Sequence, residues 1–576
     1  MFCNWKVSIV NSRAKKIGFV LGASTEQDTL LVRLDENVEH EDIVEGNFVS
    51  IPLATGQTII GRVMNIRAVN PQLSDERYAK FWMDRLRRSL ESRAMLEFTE
   101  FHIIDIVLVS SIAPDKMNIT TPNAWISPGS MVFECNDELL ELAVFGKERG
   151  EMFIGYFAEH SGEIPVKLNP NVLGSDGLAI FGSRGSGKSY AAGVIIEEFA
   201  EFGLPSLIVD PHGEYWGLSQ TVGPKGDNSL PKYFVKVLYP NKYPPRYFQD
   251  MQKMAKKLDV NLSIEPITML FSEISTSEMF SFMYDLTHTQ KEKIENTWYD
   301  IRDSLGNAIC YDIDGFLGFG IENGIIDGAS RKPIVRKLEV FRKMGFFTEL
   351  NGAICHYSGQ IIQEFDEKYR RRETSDKTKE LASLTSVKSH FSPEQATILD
   401  VSQPMLDERA RRIFVSSYLN RLRRSMEIKD IQRVFLLIEE AHRFIPIGES
   451  PTKKAIEWFA REGRKMGAGL GIVSQRPSGL DRDILSQCNS KLIFRITEQS
   501  DLLVAKDILA GFATRYLGLL PYLERGTGVL TGAALRIPIL VKFRERKSIT
   551  KYGETVALVD FPQDKRKSRE AEKKRW

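Results

Sequence analysis

The sequence predicts an α/β chain, with a core of parallel strands and helices, a small β-barrel ahead of it and an α-helical insertion inside it. Three observations point there. Early in the chain, short alternating runs (KVSIV, IGFVLGA, TLLVRL, FVSIPL, TIIGRVMNI) are divided by Gly, Asn and Asp turns, the pattern of a small barrel or sandwich. Past Pro170 the runs become apolar throughout, as in SLIVD, ATILD, VFLLI and LGIVS, and alternate with helical patterns. Strands buried on both faces and joined by crossover helices read this way. From Glu273 to about His390 the periodicity turns mostly helical and charge-rich, as in KEKIENTWYDIRDSL and IVRKLEVFRKMGFF.

Taken in order, residues 1–165 are expected to form the β-barrel with one helical excursion near 75–96, where Tyr78, Phe81, Trp82, Leu86 and Leu90 fall at helical spacing. Residues 166–272 and 391–545 are expected to form the α/β core, and 273–390 the insertion. A flexible charged stretch from Asp366 to Glu380 closes that insertion. Residues 546–576 are expected to be a C-terminal extension, whose last 13 residues from Asp564 carry seven basic and three acidic side chains. No internal repeat of fixed period is present.

Composition bounds the function. The 576 residues suit roughly four domain-sized units. At 42% hydrophobic and 27% charged, the chain can bury a large core and does not read as disordered. Its 77 basic and 76 acidic residues leave a net charge of +1, which excludes a protein that coats polyanions. Contact with nucleic acid would have to come from local patches or from several subunits converging on one surface. Cys3, Cys135, Cys310, Cys355 and Cys488 show neither a C-x-x-C spacing nor a disulfide framework, so a reducing compartment is expected. The N-terminus lacks the apolar run of a secretory leader, and no stretch reaches 18 apolar residues. A cytoplasmic protein without a membrane contact is the expectation.

The chemistry begins at Gly182-Ser183-Arg184-Gly185-Ser186-Gly187-Lys188-Ser189, which fills G-x-x-x-x-G-K-[ST] at every specified position. It follows an apolar run and opens a helical one at Tyr190. In that setting the glycines let backbone N–H groups turn inward around a triphosphate, and the helix N-terminus adds a favourable dipole. Lys188 would neutralise the β- and γ-phosphates and Ser189 would ligate Mg²⁺, so ATP and Mg²⁺ are the expected cofactors. In Val434–His442, an apolar strand delivers Glu439 and Glu440. The first acid is placed to hold the Mg²⁺ water shell, one methylene longer than the usual Asp, and the second to activate the attacking water. Gln475 closes the strand LGIVS, where an amide can bond both phosphate and water. Asp210, His212 and Glu214 follow SLIVD at a strand C-terminal end and are expected near the nucleotide, although His212 and Glu214 equally suit a turn cap.

Together GSRGSGKS, DPHGEY, IEEAHRF and REGRKMGAGLGIVSQRPSGLDRDILSQC closely resemble the HerA branch of the HerA/FtsK ring ATPases, over about 170–545. The N-terminal β-region also looks like the barrel that precedes that ATPase core. The resemblance implies a RecA-like P-loop core and a homohexameric, ATP-driven double-stranded DNA translocase or helicase. It further implies a partner nuclease or other effector docking on the barrel, in DNA-end processing or antiphage defence. It also implies an arginine supplied in trans, for which Arg464 is the first choice and Arg461 the second. Lys453 and Lys454, placed on a Pro/Gly/Ser-rich loop, and Arg476 and Arg482, flanking another loop, are candidate DNA contacts. The runs Arg370–Arg372 and Arg421–Arg424 read as solvated helix faces. A second reading is a nucleotide-switched ring scaffold that assembles and regulates an effector with little net translocation. A third, a small-molecule P-loop kinase, is disfavoured by the barrel and by the trans arginine.

Overall fold

The structure, a computed structural model, describes residues 14–549 apart from 24–28, 39–42, 71–100, 116–117, 123, 147–149, 160–163, 221–232, 258–260, 284, 373–385 and 510–514. The helix expected at 75–96, the later part of the charged stretch and the basic tail lie outside the described residues. The chain divides into two compact units: Met1–Glu198 with Glu440–Glu449 and Glu457–Glu545, and Phe199–Glu439 with Ser450–Ile456 and Arg546–Trp576. Among the described residues no helix is long and apolar enough to cross a membrane.

The first unit opens on strands β1 (Lys16–Ala23), β2 (Leu30–Leu34), β3 (Phe48–Pro52), β4 (Thr58–Val69), β5 (Phe101–Ile112), β6 (Ile119–Thr120) and β7 (Met131–Glu134). They run in the order β2-β1-β7-β3-β4-β5-β6, and an added antiparallel pairing of β2 with β5 closes a six-stranded barrel. Alternation puts Ile17, Val20, Val32, Val49, Ile51, Ile59, Val63, Ile104, Ile106 and Val132 in one core. Strands β1 and β2 approach so closely at Gly18 that a Cβ there would lie 2.0 Å from the Arg33 carbonyl oxygen, so only glycine fits. Helix α1 (Asp137–Phe145) follows, capped by the Asn136 side chain, which accepts the Leu139 N–H at 2.8 Å. Then come β8 (Met152–Phe157), β9 (Pro165–Leu168), β10 (Leu178–Phe181) and helix α2 (Lys188–Glu201).

The second unit carries β11 (Ser206–Asp210), β12 (Phe234–Pro240), β13 (Leu262–Ile267), β18 (Gln395–Asp400) and β19 (Val434–Ile438). These pair in parallel in the order β13-β12-β18-β11-β19. Every residue of β11, β18 and β19 is buried, which is why these segments read as unbroken apolar runs rather than alternating ones. Between β13 and β18 lie helices α3 (His288–Leu305), α4 (Ile313–Glu322) and α5 (Arg331–Met344). The apolar stripe of α5 is Ile334, Leu338, Phe341 and Met344. The same segment holds an antiparallel sheet of β14 (Ile309–Tyr311), β15 (Ala353–His356), β16 (Ile361–Phe365) and β17 (Arg371–Arg372), which helical periodicity did not announce. Arg371 and Arg372 therefore form a short exposed strand, with Arg370 exposed just before it, rather than a helix face.

The reading of Arg421–Arg424 as a solvated face is also corrected. Helix α6 (Glu408–Glu427) turns Phe414, Tyr418, Arg421 and Ser425 inward at helical spacing. Arg421 Nε lies 2.5 Å and Arg424 Nη2 2.8 Å from the same buried oxygen, Glu273 Oε1. Arg423 points out instead and pairs with Glu427 one turn on.

The chain then returns to the first unit through helix α7 (Pro451–Arg461) with β20 (Ala468–Ser474), β21 (Ser490–Ile493), β22 (Thr527–Gly532) and β23 (Ile539–Phe543). Strands β20 and β21 flank β10 in parallel; β22, β23, β8 and β9 extend the sheet antiparallel.

Candidate functional site

Strand β10 ends at Phe181 and α2 begins at Lys188, so Gly182–Gly187 form the turn between them. Gly185 (φ 75°) and Gly187 (φ 114°) take left-handed backbone that side chains resist. A Cβ at Gly187 would also lie 3.0 Å from the Gly526 nitrogen. The loop is pinned on both sides: Ser183 N–H donates to Arg495 O at 2.7 Å, and Gly526 N–H donates to Ser186 O at 3.0 Å. Lys188 is buried, and its ammonium donates to Ser183 O at 2.9 Å, which folds the cation back into the loop. Ser186 Oγ is buried without a hydrogen-bond partner. Arg184 and Gly185 are exposed, while Ser189 and Tyr190 are half-buried at the start of α2. A cation enclosed by a glycine loop at a helix N-terminus, with an unspent hydroxyl beside it, fits a bound triphosphate.

Ser474 lies opposite Phe181 in the β10–β20 register, so Gln475 leaves the sheet beside Gly182. Its amide donates to Glu440 Oε1. Glu440 is buried and left-handed, at φ 49° and ψ 48°, a conformation that costs a non-glycine residue about 1–3 kcal/mol. His442 Nδ1 lies 3.3 Å from both Glu440 Oε2 and Ser474 Oγ. The carboxylate is thus held at one oxygen by an amide and faces an imidazole at the other. That arrangement suits accepting a proton from water. Ser474 and His442 were missed in the sequence, where IVSQ and EEAH marked their positions but not their contact.

In the second unit, Asp210 is almost wholly buried, and its carboxylate accepts the N–H groups of His212 (3.0 Å), Gly213 (2.8 Å), Glu214 (2.8 Å) and Tyr215 (3.0 Å). Its side chain organises the DPHGEY turn, and His212 and Glu214 are half-buried within that turn. Tyr215 OH donates to Glu439 Oε2 at 2.5 Å. Burial first, and the Glu439 charge second, push the Tyr215 phenol well above its usual range. Asp400 stands opposite Asp210 in the β11–β18 register. Burial and then the Asp210 charge push its carboxyl up to about 7, and its Oδ2 has no hydrogen-bond partner. The signal for Asp400 was present in ATILD, an apolar strand ending in an acid as SLIVD does.

The remaining candidates are peripheral. Lys453 and Lys454 sit in the first turn of α7, not on a loop, because Pro451 opens a helix there. Arg476 is exposed just past β20, and Arg482 is exposed as the first residue of a short helix capped by Asp481. Arg461 ends α7, 3.9 Å from Asp483, and Arg464 lies in the next turn with its guanidinium 2.8 Å from Asp176. The side chain of Arg464 is 63% exposed.

A family model described as Helicase HerA, central domain, matches residues 152–422. A probable helicase of Methanocaldococcus jannaschii is 26% identical over 531 residues, spanning 88% of this chain and 92% of its own length. The DNA double-strand break repair helicase HerA of Sulfolobus acidocaldarius is 26% identical over 535 residues, spanning 91% and 92%. Among solved structures, VirB4 of Thermoanaerobacter pseudethanolicus covers 69% of this chain and 96% of its own at 13% identity and a TM-score of 0.42, too loose a superposition to add weight. With a complete phosphate loop, a buried acid fixed by Gln475 and relatives aligned over most of its length, the chain is a P-loop ATPase similar to the HerA helicases.

Proposed function

We propose that this ATPase is a ring-forming, double-stranded DNA translocase whose power stroke is ATP hydrolysis at the Gly182–Ser189 loop. The observation that carries the reading is the pairing of Glu440 with Gln475 one strand away from that loop. Several relatives are named DNA double-strand break repair helicase, and that substrate is extended here to this chain. Lys188 counters phosphate charge. Gln475 holds Glu440 in the rotamer that takes the water's proton. Mg²⁺, when bound, would neutralise developing phosphate charge; Ser189 and, on its motif position, Glu439 are the residues for it. Arg464, exposed on its own chain, is the arginine offered to a neighbouring subunit, with Arg461 as second choice. Asp210 acts by shaping the turn that carries His212 and Glu214 at the end of β11.

The assembly proposed is a homohexamer. Lys453, Lys454, Arg476 and Arg482 are its candidate phosphate contacts, and a partner nuclease or other effector docks on the barrel, in DNA-end processing or defence. The test is ATPase rate against duplex DNA, with a roadblock-displacement assay beside it. Turnover should rise with DNA and the roadblock should be removed. A ring whose turnover ignores DNA and which displaces nothing would sink the translocase reading in favour of an effector scaffold.

A further inference from the structure

A proton that Glu440 takes from water has to leave a buried side chain before the next ATP is cut. The Gln475 amide at Oε1 does not ionise, so it cannot carry that proton away. The other oxygen, Oε2, faces His442 Nδ1 at 3.3 Å. The Glu440 side chain is 4% exposed and that of His442 is 24%, so the imidazole stands between the buried acid and solvent. The backbone brings the two together: Glu440 is left-handed, and the short 3₁₀ turn Ala441–Arg443 follows at once, with Arg443 N–H donating to Glu440 O at 2.9 Å. Nδ1 is also 3.3 Å from Ser474 Oγ. That serine is wholly buried at the end of β20, and its hydroxyl accepts the Arg476 N–H at 3.0 Å. Its own hydrogen is within reach of Nδ1. The ring nitrogen therefore has a suitable neighbour in either protonation state. Bare, it accepts from the serine; protonated, it donates to the carboxylate. A ring that served only to pin Glu440 would need the second contact alone. These residues and the phosphate loop all belong to the first compact unit.

We propose that His442 is a proton relay: Nδ1 takes the water-derived proton from Glu440 Oε2 and the ring passes it to solvent, which returns the carboxylate to its basic form between turnovers. The balance closes. A water O–H bond breaks, its oxygen bonds the γ-phosphorus as the bond to the leaving ADP breaks, and the proton sits on Glu440. It then moves from Oε2 to Nδ1. The imidazolium loses a proton to bulk water, and exchange with solvent restores the tautomer that is bare at Nδ1, where Ser474 donates again. Imidazole is the side chain suited to this, since it gains and loses a proton near neutral pH. His442 acts through Glu440, and the inference rests on the proposed role of Glu440 as base.

The test compares single-turnover with steady-state ATP hydrolysis by the full chain. His442→Asn places an amide where Nδ1 stands, so it keeps a donor near Oε2 and cannot carry a proton. Its first turnover should stay within about 2-fold of wild type, while its steady-state rate falls about 10- to 100-fold. His442→Ala opens space at the ring. Imidazole in solution should raise its steady-state rate about 10-fold, and pyrazole, a ring of the same shape but a far weaker base, should not. A wild-type steady-state rate for His442→Asn means that the proton leaves with phosphate and overturns the inference. A first turnover that falls as far as the steady state also overturns it, because the ring is then a prop for Glu440. So does an absence of rescue, or equal rescue by the two rings. Glu440→Gln checks the reading beneath: if its first turnover is as fast as wild type, Glu440 is not the base, and that failure shows without any His442 variant.

Discussion

At the scale of single residues, the two acids that end β19 have different partners, and their substitutions should separate. Glu440→Gln removes the proton acceptor beside Gln475, so ATP should still bind while turnover falls by about 100-fold or more, measured by single-turnover hydrolysis. Lys188→Ala should instead abolish turnover through lost phosphate binding, with an unchanged far-UV spectrum. Asp400 makes a different prediction. Its folded carboxyl is pushed up to about 7, from 3.8, by burial and the facing Asp210, opposed by the hydrogen bonds from Ser402 and then by the Arg411 charge. The folded chain therefore holds that proton where the unfolded chain has lost it. This contribution to stability is complete below pH 3.8 and is lost as pH rises through 7. Asp400→Asn, which copies the protonated form, should gain thermal stability over wild type at pH 8 and none at pH 4. Equal melting shifts at both pH values would refute this. The phosphate loop was legible because its residues are contiguous, and its chemistry depends on their order alone. Tyr215–Glu439, Asp210–Asp400 and His442–Ser474 were not legible, because each depends on the register of strands far apart in the chain.

At the scale of elements, the parallel strands were readable because burial on both faces leaves an unbroken apolar run. The barrel was readable because burial on one face leaves alternation. The sheet β14–β17 was hidden for the same physical reason: its strands are two to five residues long, too short for either period to show. Charge misled the reading of α6, where RLRR looks solvated until Glu273 is known to lie beneath it. Arg421 and Glu273 are 4% and 0% exposed at their side chains. Removing one partner of such a pair leaves the other charged and dry, at a cost on the order of 3–5 kcal/mol. Arg421→Ala should therefore lower the unfolding free energy from denaturant titration markedly, whereas Arg423→Ala, on the solvent side of the same helix, should change it by less than about 0.5 kcal/mol. Comparable losses for the two variants would contradict the burial of the first.

At the scale of the whole molecule, a near-neutral chain should hold DNA weakly as a monomer and better as a ring. Each phosphate neutralised adds about 0.9 to the slope of log affinity against log salt, so a ring with several contacts should lose affinity steeply as salt rises. The proposed exchange of Arg464 between subunits has its own readout. Mixing Arg464→Ala with Lys188→Ala protein should restore part of the ATPase activity, because some interfaces then join an intact Lys188 to an intact Arg464. No recovery at any ratio, with subunit exchange confirmed, would place Arg464 in its own chain's structure beside Asp176. The closed barrel sets a limit on what can bind to it. Pairing of β2 with β5 spends ladder groups that an open sheet would leave along its border; among the described residues, free edge remains on the two-residue β6 and on β4 beyond its pairing with β3 at Arg62. A visiting chain therefore finds no strand edge to zip onto around the closed part of the barrel. A protein that recognises that closed part does so through side chains and loop tips, so point substitutions on its outer surface, rather than changes to its backbone pairing, are the ones that would tune partner choice.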